Sequence, residues 1–404
     1  MKEQKKIAVF GGGRWARVLL GVFLKNTDSS ISYDVYTKHL AEDMQLWAVK
    51  NSYGSRVSVS NGVANFLNVN YLAAVVVNAA SDHKKMAENA LAAKVPVLVE
   101  KPMAPSFTET TELIEAAKFN NTLLVSSWVF MYASYIDNFI MHTKDLEDIK
   151  EVHFNWTDEF EASRYGERKS FDPAVPIFRD VLPHVMSILS KVLESHSFEF
   201  NSCKVSRGGS CVDILVSTSN IKCYLQLERN ANKRERKVLI KGKKDISLDF
   251  SVEPGVICID NNSLSGDIHW DLSPGPLEKM VSKFLSDVNA AEIDQRFMNE
   301  LTLSISQLVD QVELEYLRLL DQWVAEHLHQ KEIKMRDIHY FLSELVLGTM
   351  KVPYEESDKV ISQFLDIACN GQLLKNFKKK FKDVASDRAG HSIIHFIKSI
   401  RIGV

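Results

Sequence analysis

The sequence predicts an α/β protein in which a doubly wound parallel sheet comes first and an α+β domain with a predominantly antiparallel sheet follows. Residues 6–125 alternate short β-branched runs with helical stretches, whereas strand-like runs follow one another with little helix between them after Glu151. The chain of 404 residues is also longer than one ordinary hydrophobic core requires. We therefore expect at least two domains.

The first part is predicted element by element from the period of its apolar residues. The expected order is strand 6–10, helix 15–25, strand 33–36, helix 40–50, strand 72–78, a helix that ends at residue 93, strand 95–99, helix 107–119 and strand 123–126. Strands that alternate with helices form βαβ units, so these strands should lie parallel in one sheet.

The second part is predicted from consecutive strand-like runs, which favour antiparallel pairing. The runs are 152–160, 211–217, 223–228, 236–241 and 246–250, and one helix over about 175–193 interrupts them. After Pro274-Gly275-Pro276 the pattern turns helical. These patterns predict three segments, namely 1–127, 128–329 and a C-terminal helical extension over 330–404.

The composition excludes several classes of protein. Hydrophobic residues make up 45% and charged residues 25%, as in folded soluble domains. The net charge of -3 argues against general attraction to nucleic acid or anionic membranes. The five cysteines show no C-x-x-C spacing, which argues against a disulfide framework and a zinc site. The apolar runs are too short for a signal peptide or for a spanning helix of roughly 20 residues, so we expect a cytoplasmic protein.

A glycine-rich turn follows the first predicted strand and opens the first predicted helix. Residues 11–16 read GGGRWA and fit the G-x-G-x-x-G/A pattern with alanine in the third place. Glycines permit the tight turn and let the backbone approach a pyrophosphate at the helix N-terminus. We therefore expect Gly11, Gly13, Arg14 and Trp15 to bind a dinucleotide; the alternative is a merely structural turn.

The end of the second predicted strand indicates which dinucleotide is bound. An acidic residue at this position usually accepts hydrogen bonds from the ribose 2′-hydroxyl of NAD. This chain has Thr37, Lys38 and His39 instead, a set that suits the 2′-phosphate of NADP better. We expect NADP(H) to be preferred, with NAD(H) possible; the alternative is that Lys38 and His39 form a solvated face.

Two further motifs carry a resemblance to a known family. Residues 97–103 read VLVEKPM after a helix that contains His83, and Asp180 and His184 follow later with Asp-x-x-x-His spacing. The glycine turn, Glu-Lys-Pro and the Asp/His pair, in this order, resemble the Gfo/Idh/MocA oxidoreductases over residues 5–190 and more loosely over 190–310. The resemblance implies an N-terminal Rossmann domain, an α+β substrate domain and hydride transfer at a nicotinamide.

The resemblance also implies a catalytic set. Lys101 and His184 would share the acid/base role, and Asp180 would orient the substrate or the imidazole. Histidine exchanges a proton near neutral pH, as hydride transfer at a carbon that bears oxygen requires. Asp180 and His184 lie four residues apart, hence on one helix face. The alternative for His184 is a buried structural histidine.

The remaining expected cofactor contacts come from residues that follow the later strands. They are Asn78, Ala79, His83, Glu100, Lys101 and Trp128. We also expect a cis peptide bond between Lys101 and Pro102, because cis bonds are nearly confined to proline and related Glu-Lys-Pro turns carry one. Trp128 and Phe130 replace a polar stretch found in many sugar-oxidising relatives, and both residues could equally belong to the core.

The predicted function is hydride transfer between NADP(H) and a polar secondary alcohol or ketone, such as a modified sugar or a biosynthetic intermediate. Two alternatives stay open. One is an imine reductase of a siderophore or natural-product pathway, against which the retained Lys101 speaks. The other is a non-catalytic NADP(H)-binding sensor or scaffold, against which the intact Lys101, Asp180 and His184 speak.

The expected partners are a small-molecule substrate and further copies of the same chain, with no nucleic acid, membrane or metal. A homo-oligomer would form through the sheet of the second domain or through the C-terminal helices. Residues 375–401 contain eight basic and two acidic residues, a net charge of +6. Such a run is usually a solvated helix face; an acidic partner or a neighbouring subunit is the alternative.

Overall fold

A computed structural model describes residues 5–327 apart from 63–65, 67–68, 145, 147–148, 160–162, 165–166, 169–175, 261 and 291–293. The predicted C-terminal extension over 330–404, with its basic run 375–401, lies outside the described residues.

The described residues form two compact units, each built from more than one stretch of chain. The described residues of the first unit lie within 5–138, 186–197 and 267–307, and those of the second lie within 139–185, 198–266 and 308–327. The boundaries predicted above at residues 127 and 329 stay a prediction.

The first unit contains a six-stranded sheet in which every neighbouring pair is parallel. Its strands are β1 (Lys6–Phe10), β2 (Ser32–Thr37), β3 (Val57–Asn61), β4 (Ala73–Val76), β5 (Val97–Val99) and β6 (Leu124–Ser126). They follow the order β3-β2-β1-β4-β5-β6, so the predicted doubly wound sheet is confirmed. Strand β3 was not predicted.

Helices cover both faces of this sheet. They are α1 (Arg14–Asn26), α2 (Ala41–Lys50), α3 (His83–Ala92), α4 (Phe107–Phe119) and α7 (Pro276–Val288), the last of which comes later in the chain. Ile7 and Val9 belong to a core shared with α1, α2 and α7, whereas Ala8 and Phe10 belong to a core shared with α3 and α4. The alternation along β1 thus buries both faces of the strand, as a central parallel strand requires.

The second unit contains an eight-stranded sheet that is antiparallel except for one neighbouring pair. Its strands are β7 (Glu151–Glu159), β10 (Glu199–Ser206), β11 (Cys211–Thr218), β12 (Ile221–Ala231), β13 (Glu235–Lys241), β14 (Ile246–Asp249), β15 (Val256–Ile259) and β16 (Asn262–Ser265). The order is β10-β11-β12-β7-β13-β14-β15-β16, and the parallel pair is β12 with β7. The predicted, predominantly antiparallel second sheet is confirmed, although β10, β15 and β16 were not predicted.

Besides short 3₁₀ turns, the other described elements are three α-helices and one short pair of strands. They are α5 (Ser134–Thr143), α6 (Ile177–Val192), α8 (Arg296–His327), β8 (Ser163–Arg164) and β9 (Glu167–Arg168). Helix α6 is the helix predicted over about 175–193. No helix in the described part of the chain is long and apolar enough to cross a membrane.

Candidate functional site

The turn between β1 and α1 can be built only with glycine at its first position. Gly11 has a φ of +139°, and its N–H donates to the carbonyl oxygen of Tyr36 on the neighbouring strand β2 at 2.9 Å. A Cβ atom at Gly11 would lie 2.6 Å from the carbonyl oxygen of Val77. Both the backbone conformation and the close approach of two strands therefore require a residue without a side chain.

The next two glycines differ in their surroundings. A Cβ at Gly12 would lie 2.8 Å from Thr37 Oγ1, whereas a Cβ at Gly13 would meet no described atom within 4 Å. Gly13 is the N-cap of α1, which has neither a side-chain cap nor an acidic residue in its first turn. The space beside Gly13, at the positive end of this helix, thus holds no described atom, which suits a pyrophosphate.

Two buried polar atoms near this turn also fit a bound polar ligand. Among the described residues, Arg14 Nη1 and Asn78 Oδ1 are buried and have no hydrogen-bond partner. Arg14 begins α1, and Asn78 N would lie 3.0 Å from a Cβ at Gly11. Buried polar groups are nearly always satisfied, so these two atoms are suited to receive hydrogen bonds from, or donate them to, a dinucleotide.

Two basic side chains follow Thr37, the last residue of β2. Thr37 is buried, Lys38 and His39 are exposed, and Thr37 lies beside Gly12. Lys38 Nζ forms an ion pair with Asp82 Oδ2 at 2.7 Å. The position at which NAD-binding domains usually carry an acid therefore has a hydroxyl and two basic side chains, as the sequence indicated.

His83 connects two of the predicted cofactor-binding segments. Its Nδ1 lies 2.7 Å from the carbonyl oxygen of Pro102, and its Nε2 lies 3.1 Å from that of Asn78. Burial lowers the pKa of His83, which favours the neutral ring with a single N–H. The single N–H of the neutral ring donates to one of these two carbonyl oxygens. His83 thereby fixes the position of the turn that carries Lys101, while the neighbouring Ala79 is exposed.

The turn after β5 carries Glu100 and Lys101. The Lys101 N–H donates to Glu100 Oε2 at 3.1 Å, and the predicted cis bond between Lys101 and Pro102 is present. Burial raises the pKa of Glu100, while the Lys101 ammonium and an interaction with Trp15 oppose that rise. Glu100 is thus positioned to hold the start of the turn, so that Lys101 follows directly after the carboxyl end of a central strand.

Trp128 is a core residue of the first unit. It is 2% exposed, and its indole N–H donates to Thr302 Oγ1 at 3.1 Å. Phe130 is only half-buried. Of the two roles considered for Trp128, the structure supports the packing role directly, whereas contact with a cofactor stays a prediction.

The second unit holds the predicted Asp/His pair on α6. Asp180 and His184 lie on the same helix, and Asp180 Oδ2 accepts a hydrogen bond from Arg229 Nη2 at 3.3 Å. Arg229 is 2% exposed, so a buried cation stands beside the Asp180 carboxylate. Such a hydrogen-bonded neighbour restricts the rotamers of a carboxylate.

The His184 ring stacks on Trp156 of β7. The ring centroids are 5.6 Å apart and the planes differ by 11°. The guanidinium carbon of Arg236 lies 3.8 Å from the centroid of the Trp156 ring, and Arg236 also donates to the buried Asp158. Arg236 lies directly opposite Trp156 in the pairing of β13 with β7. His184 is therefore held against a rigid aromatic and cationic stack.

Three of these residues were missed by the sequence reasoning: Trp156, Arg229 and Arg236. The usable signal was one arginine directly after the run 223–228 and another at the start of the run 236–241, since a charged residue is seldom fully buried without a partner. Arg179, which had no assigned task, donates from Nε to Glu313 Oε1 at 2.9 Å and is thus tied to α8.

The structure brings the predicted residues together in two groups. In the first unit, the predicted residues lie at the carboxyl ends of parallel strands. They are the glycine turn, Arg14, Trp15, Thr37 to His39, Asn78, His83, Glu100 and Lys101. Such an edge is where open α/β sheets bind ligands. In the second unit Asp180 and His184 share one helix.

Comparison with protein families supports the reading of the first unit. Residues 5–127 match the model of the Gfo/Idh/MocA family, described as an oxidoreductase family with an NAD-binding Rossmann fold. The resemblance seen in the glycine turn and the Glu-Lys-Pro motif is thereby confirmed for this N-terminal segment. No curated protein matches the chain by sequence.

Solved structures extend the likeness beyond this segment. A 3-ketoreductase from Actinomadura kijaniata, in complex with NADP and TDP-benzene, superposes with a TM-score of 0.62 at 15% identity, covering 78% of this chain and 98% of its own. A UDP-N-acetylglucosamine 3-dehydrogenase from Acidithiobacillus ferrooxidans gives 0.62 at 16% identity, with 78% and 98% covered. At these identities the likeness shows a shared two-part fold.

Proposed function

We propose that this protein is an NADP(H)-dependent oxidoreductase that transfers a hydride between nicotinamide and a secondary alcohol or ketone of a modified sugar. The observation that carries the proposal is the open glycine turn at the start of α1, next to Thr37, Lys38 and His39 instead of an acid. The family match over residues 5–127 and the Glu-Lys-Pro turn support the same chemistry.

The first unit supplies the groups that would hold NADP(H). The N–H groups at Gly13 and the first turn of α1 would bind the pyrophosphate, and Thr37, Lys38 and His39 would bind the 2′-phosphate. Arg14 and Asn78 have buried polar atoms suited to the same ligand. When bound, the cofactor donates or accepts the hydride.

The chain's own residues would manage the proton. In the reducing direction a hydride joins the carbonyl carbon while a proton joins its oxygen, which yields the alcohol and oxidised cofactor. Lys101 would hydrogen-bond the oxygen and stabilise its developing negative charge, and His184 would deliver the proton. Asp180, held by Arg229, would orient the substrate or the imidazole. The reverse reaction uses the same groups in the opposite order.

The substrate is proposed from the solved structures with the same fold. One is a 3-ketoreductase crystallised with TDP-benzene, and another is a UDP-N-acetylglucosamine 3-dehydrogenase. Nucleotide-linked sugars, reduced or oxidised at a ring carbon, are therefore the first compounds to test. They also agree with the modified sugar expected from the sequence.

The experiment is a screen with NADPH that carries deuterium at C4 of the nicotinamide. Nucleotide-linked keto-sugars, free keto-sugars, keto acids and cyclic imines are offered in parallel, and NADPH oxidation and deuterium in the product are both measured. Deuterium on a sugar ring carbon supports the proposal. Deuterium transfer to imines alone would instead establish imine reduction. Tight NADPH binding with no turnover on any compound would establish a sensor or scaffold.

Location and assembly are part of the proposal. We propose a cytoplasmic homo-oligomer that contacts itself through the second sheet or the C-terminal segment, with a small molecule as its other partner. Fractionation of the source cells tests the location. Light scattering tests the assembly, and a monomeric mass at working concentration would contradict it.

A further inference from the structure

The ion pair between Lys38 and Asp82 spans the dinucleotide-binding edge of the first sheet. Lys38 follows β2, and Asp82 follows β4 in the turn before α3. The two side chains meet at 2.7 Å although β1 lies between their strands in the sheet. Neighbouring strands are about 4.8 Å apart, so the pair bridges about 10 Å across the carboxyl end of β1, where the glycine turn begins.

Asp82 lies directly before α3. It ends the 3₁₀ turn Ala80–Asp82 with helical φ and ψ angles of -102° and -5°, whereas an aspartate that caps a helix usually has an extended backbone. Here its side chain makes no cap hydrogen bond, and the first turn of α3 contains no acidic residue. Among the described residues, Lys38 is the side chain that hydrogen-bonds the Asp82 carboxylate.

We propose that Asp82 is a specificity-determining residue that competes with the 2′-phosphate of NADP(H) for Lys38. This inference rests on the proposed NADP(H) function and deepens it. A phosphate monoester carries a charge of about -1.5 to -2, against -1 for the Asp82 carboxylate, so it can displace Asp82 from Lys38. The Lys38 side chain is 65% exposed, so little free energy is lost when its ion pair with Asp82 is broken.

The competition acts on one cofactor only. NADH has no 2′-phosphate, so Lys38 stays with Asp82 when NADH binds, and the ion pair has no effect on that affinity. NADPH must break the pair before it gains its own contact with Lys38. Asp82 thus reduces the preference for NADPH below the value that Lys38 alone would give and leaves NADH usable.

The test is a double-mutant cycle on Lys38 and Asp82, read by calorimetric titration with NADPH and with NADH. Asp82→Asn should tighten NADPH binding about two- to fivefold, the range for an exposed ion pair, and leave NADH binding unchanged. In a Lys38→Ala background, Asp82→Asn should change neither affinity. Asp82→Ser, which also retains a helix-capping side chain, replaces Asp82→Asn if that variant folds poorly.

Asp43→Asn is the matched control, because it removes the same charge from the first turn of α2, next along the chain from β2. It should alter the two affinities equally or not at all. An equal gain for both cofactors in Asp82→Asn would overturn the proposal in favour of a general charge effect, and a loss for both would make the pair a support of the binding turn. An unchanged NADPH affinity would also overturn it. A wild-type protein that binds neither cofactor would refute the proposed function instead.

Discussion

Gly13→Ala should weaken NADPH binding while leaving the free energy of unfolding nearly unchanged. Gly13 has φ -73° and ψ -179°, which alanine adopts readily, and a Cβ there meets no described atom within 4 Å. Alanine restricts the unfolded chain more than glycine does, which stabilises the folded protein by about 0.4 to 1 kcal/mol. Alanine is also a poorer N-cap residue than glycine, which offsets this gain. The free energy of unfolding should therefore change by less than about 1 kcal/mol. The added methyl group would nevertheless fill the space assigned to the pyrophosphate.

The loss of one charge-assisted hydrogen bond, about 1.5 to 3 kcal/mol, should weaken NADPH binding at least about tenfold in Gly13→Ala. Urea unfolding and NADPH titration measure the two effects separately. Gly11→Ala is the contrasting variant, because it places a Cβ 2.6 Å from the Val77 oxygen at a φ of +139°. It should lose at least about 2 kcal/mol of stability. Wild-type NADPH affinity in Gly13→Ala would refute the assignment of this space to the pyrophosphate.

Three further predictions concern the proposed catalytic residues, the arginine beside Asp180 and a buried thiol. Lys101→Ala and His184→Ala should each lower turnover about 10²- to 10⁴-fold, while NADPH affinity stays within a few-fold of the wild-type value. The double variant should be little slower than the slower single variant. Full activity in either single variant would remove that residue from the mechanism. Arg229→Met should lower kcat/KM about 10- to 100-fold, because Asp180 loses the side chain that holds it. Arg229→Lys should recover part of this loss, and NADPH binding should stay unchanged in both variants. Steady-state kinetics and NADPH titration measure the two effects. Burial raises the pKa of Cys223 to about 12, so at about pH 8 this thiol stays protonated. In a variant whose other cysteines are replaced, Cys223 should react with Ellman's reagent only after unfolding. Rapid labelling of the native protein would contradict its burial.

The sequence alone determined the local features. The order of β1, α1, β2 and the later βα units followed from apolar period, because each of these central elements buries a continuous apolar surface. The glycine turn was also predictable, since glycine permits the backbone conformation that the turn needs, whereas the cis bond before Pro102 was expected from the resemblance to related Glu-Lys-Pro turns. Asp180 and His184 were identified through the family resemblance, and their spacing predicted that they share one helix face.

The strands that the sequence did not reveal lie at or near sheet edges. β3 is the edge strand of the first sheet, β10 and β16 are the two edges of the second, and β15 pairs with β16. These strands expose much of their length, and all four residues of β16 are exposed. An exposed strand needs no apolar alternation, so the periodicity that marks a central strand is missing from its sequence.

Only the tertiary structure decided which distant side chains meet. Arg236 reaches Trp156 because the register of β13 against β7 sets them opposite each other, and His184 meets the same ring from α6. Lys38 meets Asp82 because β2 and β4 flank β1. Strand order and register arise from the packing of the whole sheet, and no local pattern of residues in one strand specifies its partner in another.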